Sequence, residues 1–343
     1  EIVQVEDDRW NNSGWVNLPI LGYLSQERQE AFLARQRTGM KVICEGEFLG
    51  GGAMPTCIPE PLQDASMFTV KHGMSHHLAR IDLHERTEHG TLFGINEINF
   101  LAAMAPMWTP QLSLEALWDR WLKRRFGEAA AGELKPVLQS AWQILYQGTM
   151  VSEMPLLHSS RLMPKDWKAG GANPIWDPFL RFRRPGTPIV ARPDEEVSCG
   201  EQMAWQLNAK SVPIASVREA QSQAQSLNQR CIDRIHTLKP KLREADYHYL
   251  LRVFTTTKVV IEALAAAAEG AYAAEIMRDN YDAIEDPEAL FQQALDKMEQ
   301  TATHLDQACA CSEVYTEYLH LAPALREIAG HLQESIQAKA AAR

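Results

Sequence analysis

The sequence predicts an α/β segment, the last parallel βα units of a (β/α) barrel, running into a helical carboxyl-terminal domain. Two observations carry this. Strand-like and helix-like runs alternate over the first hundred residues, and from Trp108 onward the apolar pattern is almost wholly helical. The expected divisions are a partial barrel over 1–107, connecting helices over 108–147, a proline-rich loop region over 148–213 and a helical bundle over 214–343.

The first expected strand is Ile2 to Val5, leading into Glu6, Asp7 and Asp8. The chain starts at Glu1 directly into this apolar alternation, which reads as a start cut inside a strand. A helix follows over about Ser25 to Arg37, with Gly39 suited to the left-handed position that ends it. The second strand is Met40 to Phe48, before the glycines 50–52. A looser segment from Pro61 to Leu83 is expected to hold another helix, and the third strand is Thr91 to Ile98. Units of this length suit a barrel as well as an open sheet. The glycine run lacks the GxGxxG spacing of a doubly wound nucleotide site, which favours the barrel.

Beyond Trp108, Ser113 is a good N-cap for a helix whose apolar face is Leu114, Leu117, Trp118, Trp121 and Leu122, ending at Gly127. A second helix is expected over Glu128 to Gln147. The prolines between 155 and 193 then argue against regular helix, and Trp176 in the run NPIWDP stands out as an anchor or a substrate contact. Ser216 and Glu219 form a capping-box pattern before Val217, Ala220, Ala224, Leu227, Cys231 and Ile235. Later helices are expected over about 242–280, from Asp286 and Pro287 to about Cys309, and over 313–338.

The 343 residues are 45% hydrophobic and 23% charged, the balance of a globular chain. A formal charge of −10 disfavours nucleic acid as a partner, because phosphate contacts need clustered Lys and Arg. Lys123, Arg124 and Arg125 close a helix, where cations complement the dipole. No run reaches the roughly 20 apolar residues of a membrane helix, so no membrane partner is expected. The six cysteines form no CxxC pair and read as structural. His72 and His76 have a spacing that suits one helix face, but no third ligand can be named and Gly73 weakens the helix. No metal and no cofactor are expected.

Acidic residues gather at the expected carboxyl ends of the strands: Asp8 (beside Asp7), then Glu45 and Glu47, then Glu97. Barrel active sites form at that end. Glu47, Glu97 and Asp8 are therefore the candidate catalytic residues, as acid and base, or acid and nucleophile, of glycosidic-bond cleavage. Trp10 and Trp15 offer aromatic faces to a sugar ring, Asn96 and Asn99 offer hydrogen bonds to hydroxyls, and Glu45 lies two residues from Glu47. These five are the candidate substrate-binding residues for a carbohydrate. The rival reading is a non-catalytic helical protein-interaction module in which long Ala-rich helices bind a partner and the acids are incidental.

The run GTLFGINEINF, followed by APMWTPQLSLEALWDRWLKRRFG, resembles the junction in large bacterial (β/α)-barrel glycoside hydrolases, α-glucuronidase-like proteins among them. There the last barrel strand passes into a helical carboxyl-terminal domain. Trp108, Pro110, Trp118, Trp121, Phe126 and Gly127 carry the resemblance. It implies a polysaccharide-related protein, periplasmic or secreted, with most of its catalytic barrel upstream and a helical domain able to make a homo-oligomer contact. No catalytic motif of a named activity aligns on Asp8, Glu47 or Glu97.

Overall fold

The computed structural model describes residues 2–5, 30, 33–34, 37–38, 41–48, 57–73, 76–81, 94–148, 214–279, 281–311 and 321–341. The described chain is predominantly helical. Its strands are β1 (Ile2–Val5), β2 (Lys41–Phe48) and β3 (His76–Ile81), of four, eight and six residues. The helices are α1 (Pro59–Lys71), α2 (Glu97–Trp108), α3 (Leu114–Phe126), α4 (Glu128–Gln139), α5 (Ala141–Gly148), α6 (Ile214–Leu238), α7 (Glu244–Asp279), α8 (Pro287–Ala310) and α9 (Leu321–Ala341).

This overturns the barrel. Among the described residues the strands form one three-stranded sheet in the order β1-β2-β3, and both pairings are parallel. The third strand is not Thr91 to Ile98: a turn at Gly94–Asn96 leads into α2, so Glu97 opens a helix instead of ending a strand. Ile95, Ile98 and Ala102 are buried at helical spacing, and Asn96 with Asn99 repeats it. The last part of the expected strand Thr91–Ile98 is thus the start of a helical face. The helix expected in the 61–83 segment is present as α1, and the observed third strand follows it at the end of the same segment.

Contacts divide the chain into two compact units. One comprises Glu1–Gln143, Asp194–Ala209 and Asp233–His248; the other comprises Ile144–Pro193, Lys210–Ile232 and Tyr249–Arg343.

In the first unit α2 packs on α1. Ser66 Oγ donates to the Ala103 carbonyl at 2.5 Å, and Gln63 Nε2 donates to the Leu112 carbonyl at 3.1 Å. The Ser113 hydroxyl caps α3 by accepting from the Ala116 N–H at 3.2 Å. Gly127, at φ +88°, ends that helix in a conformation that glycine adopts without a Cβ penalty. Trp118, Trp121 and Phe126 are buried edge to face, with Trp121 5.7 Å from Trp118 and 5.8 Å from Phe126 between ring centroids. Lys135 on α4 holds Glu115 and Asp119 on α3. Burial opposes its charge, but the two carboxylates outweigh it and keep its pKa above the ordinary value. The single helix expected over 128–147 is two. Pro136 lies inside α4, and the Ser140 N–H and hydroxyl both bond the Pro136 carbonyl, closing that helix before α5 begins.

In the second unit α7 is the central helix. From Val259 to Gly270 every residue but Glu262 and Glu269 is buried, which marks a helix surrounded on all sides. Small residues let neighbours approach. A Cβ built on Gly270 would lie 2.9 Å from Met298 Sδ of α8 and 3.3 Å from Ile328 Cγ2 of α9. One built on Gly148 would lie 2.5 Å from Ile261. The apolar faces of α8 (Phe291, Ala294, Met298, Ala302, Leu305) and α9 (Leu321, Leu325, Ile328, Leu332) repeat at three- and four-residue steps. The Asp286 carboxylate caps α8 at the Ala289 N–H, 3.0 Å away. The helix containing Ser216 begins earlier, at Ile214, so Ser216 lies within α6 and not at its cap.

Candidate functional site

The candidate residues fall into three groups. Asp8, Trp10 and Trp15, like Trp176, lie outside the described residues. Glu45 and Glu47 are on β2, where Glu45 pairs in register with Leu78 and Glu47 with Arg80 of β3. Glu97, Asn96 and Asn99 are fully described, at the start of α2.

The last three are committed to packing contacts. The α1 helix starts at Pro59, and the backbone just before it turns sharply, with Cys57 at φ +36°. In that left-handed conformation a non-glycine residue is strained, and its N–H and that of Ile58 find no helical acceptor. The Asn96 amide oxygen accepts from the Cys57 N–H at 3.3 Å, and the Asn99 oxygen accepts from the Ile58 N–H at 2.7 Å. Both asparagines are buried. They meet the need of buried backbone donors for partners.

Glu97 faces α3. Its Oε2 accepts from Trp121 Nε1 at 2.7 Å and its Oε1 from Arg124 at 2.8 Å. The side chain is 20% exposed and Arg124 is 62% exposed. Both carboxylate oxygens are therefore used in fastening α2 to α3. Arg125 is bound elsewhere, to Asp246 in the first turn of α7, at 2.7 Å. So two of the three cations read as serving the helix dipole make specific contacts with carboxylates.

His72 and His76 do not share a helix. The α1 helix stops at Lys71, Gly73 turns the chain at φ +61°, and His76 begins β3. Among the described residues no group of three His, Cys, Asp or Glu side chains is placed to hold a metal ion. Cys57, Cys231 and Cys309 are buried, and burial raises all three thiols, Cys231 up to about 12. Burial thus keeps these thiols protonated, and a protonated thiol is a poor nucleophile. Among the described residues no helix is long and apolar enough to cross a membrane.

Other acids do the same work as Glu97, and nothing in the sequence pattern singled them out. Glu133 of α4 holds both Arg234 and Lys241, and the Lys241 hydrogen bond above all lowers its pKa against the cost of desolvation. In the second unit Glu269 of α7 accepts from Arg218 of α6 at 2.8 and 2.6 Å and lies 3.5 Å from Lys297 of α8. Burial opposes its charge, but the Arg218 hydrogen bonds and the charges of Lys297 and Arg218 prevail. Its pKa is held below the ordinary 4.5. A carboxyl with a folded pKa below its unfolded one adds stability above the unfolded value and loses it as pH falls through the folded value. The stability advantage of the native chain over Glu269→Gln is accordingly expected to be full at about pH 6 and to shrink below about pH 4.5, as the ordinary carboxyl range is crossed. Urea midpoints of both chains across that range measure it; a gap independent of pH would disprove the clamp.

Comparison with protein-family models and with curated proteins gives no match to this chain. Together with the helical character of the described residues and the short sheet, this removes the glycoside-hydrolase resemblance. The α-glucuronidase-like junction of Trp108 to Gly127 is instead a helix end, a turn and the capped helix α3. The barrel assignment goes with it.

Proposed function

We propose that the described helices form a non-catalytic helical module, a scaffold for protein interaction in which the acidic residues fasten helix to helix. The observation that supports this is the state of Glu97. Of the three candidate catalytic acids it is the one whose side chain is described, and both its oxygens are bound to α3. A general acid or nucleophile needs an oxygen free to meet substrate. Glu133 and Glu269 repeat the pattern in each unit.

The Ala-rich stretch of α7 is buried inside its own unit, so it is core and not partner surface. Trp108, at the end of α2, is the large hydrophobic side chain that the described residues leave exposed. A tryptophan is a favoured anchor in protein interfaces.

Glu97→Gln tests the reading. The substituted amide keeps an oxygen for Trp121 but loses the charge opposite Arg124. Because Arg124 is well solvated, the loss is expected to be about 1 kcal/mol of unfolding free energy. The native chain is expected to turn over no member of a panel of glycosides and polysaccharides. Turnover that disappears in Glu97→Gln at unchanged stability would refute the proposal.

A further inference from the structure

The buried seam of α6 is a heptad pattern with a polar residue in the same place of two successive heptads. Val217, Gln221, Ala224, Asn228 and Cys231 follow one another by four, three, four and three residues, and all are buried. This is the spacing of a coiled-coil core, where one face of a helix stays against its neighbour. Gln221 and Asn228 stand seven residues apart on that face.

Asn228 is fully buried, and its Nδ2 donates to the backbone carbonyl of Phe254 in α7 at 2.9 Å. Among the described residues its Oδ1 has no hydrogen-bond partner, and neither has Gln221 Nε2. Polar atoms so placed are costly, and an apolar side chain of similar size would fill the seam with no such cost. The Asn228 bond does something an apolar residue cannot. It reaches a single carbonyl, and a slip of α6 by one turn along α7 would take the amide away from it. Val217, Ala224 and Cys231 on the seam are small or medium apolar residues, and packing of that kind alone distinguishes weakly between neighbouring registers.

We propose that Asn228 is a register lock: its bond to the Phe254 carbonyl selects one axial alignment of α6 on α7, at a cost in stability. The two helices then present their side chains in one fixed arrangement. Arg218 and Glu269 are one such pair, aligned by the same register.

The test is Asn228→Leu in the full chain, with Gln221→Leu as its control, read by thermal melting and by hydrogen exchange with mass spectrometry. Asn228→Leu is expected to melt at or above the native temperature. Peptides from 217–231 are expected to change from one isotopic envelope to two, as a second register becomes populated. Gln221→Leu leaves the Phe254 bond in place and is expected to keep one envelope. A single native-like envelope in Asn228→Leu overturns the proposal. So does a chain that fails to fold, since Asn228 would then be required for stability and not for alignment.

Discussion

Trp121→Ala is expected to cost about 4 kcal/mol of unfolding free energy, within the range for emptying a buried tryptophan site. The side chain is 1% exposed, and its ring meets Trp118 and Phe126 edge to face. Truncation removes the ring contacts, opens a cavity between them and strips Glu97 of its indole donor. Trp121→Phe separates these effects. It keeps most of the apolar bulk and removes the N–H. A smaller loss is expected, about 1–2 kcal/mol, because Glu97 is open enough to water to replace part of the bond. Urea unfolding followed by circular dichroism gives both values, and an unchanged denaturant slope shows that only stability moved. Equal losses for Phe and Ala would mean that the Glu97 bond, not packing, dominates the site.

What the sequence made legible, and what it hid, follows from the range of the interactions. The α3 helix was readable because each of its signals is local: a Ser113 cap, apolar residues at helical steps, and Gly127 where φ is +88°. The Asp286–Pro287 start of α8 was readable for the same reason. The stretch around Glu97 was misread because the Thr, Phe and Ile residues of Thr91–Ile98 suit a strand, while the helical repeat that begins at Ile95 shows itself only when Ile98 and Ala102 are read together with it. What decides between them is distant in sequence. Asn96 and Asn99 serve the backbone of Cys57 and Ile58, some 40 positions away, where the left-handed turn leaves donors unmet. The role of Glu97 was hidden likewise. A carboxylate among apolar residues does call for a partner, but no local rule says whether that partner is a substrate or the indole and guanidinium of the next helix. His72 and His76 fall on either side of the turn at Gly73, the residue whose helix-weakening effect was visible in the sequence.

Asp246 is where the longest-range contacts of the first unit concentrate, and Asp246→Ala is expected to cost about 3 kcal/mol there. The carboxylate is 5% exposed; Arg125 Nη1 donates to one oxygen at 2.7 Å and Arg243 Nε to the other at 2.6 Å. Arg243 also donates to the Arg125 carbonyl at 3.0 Å, so the end of α3 is tied to the start of α7 through side chain and backbone together. Deleting the carboxylate leaves two cations facing each other. The loss sits at the low end for breaking a buried pair because Arg243 is 70% exposed and returns to water, whereas Arg125 is held against the Phe126 ring at 4.9 Å. Much of the cost is thus the stranded charge of Arg125 and not the lost attraction. It follows that removing that charge as well restores stability. Asp246→Leu combined with Arg125→Met is expected to lie within about 1 kcal/mol of the native chain, since an apolar pair fills the same space with no charge to desolvate. Urea unfolding of both single variants and the double variant closes the cycle. Additive losses would show that the two side chains act independently, and that the ion pair is not what joins α3 to α7.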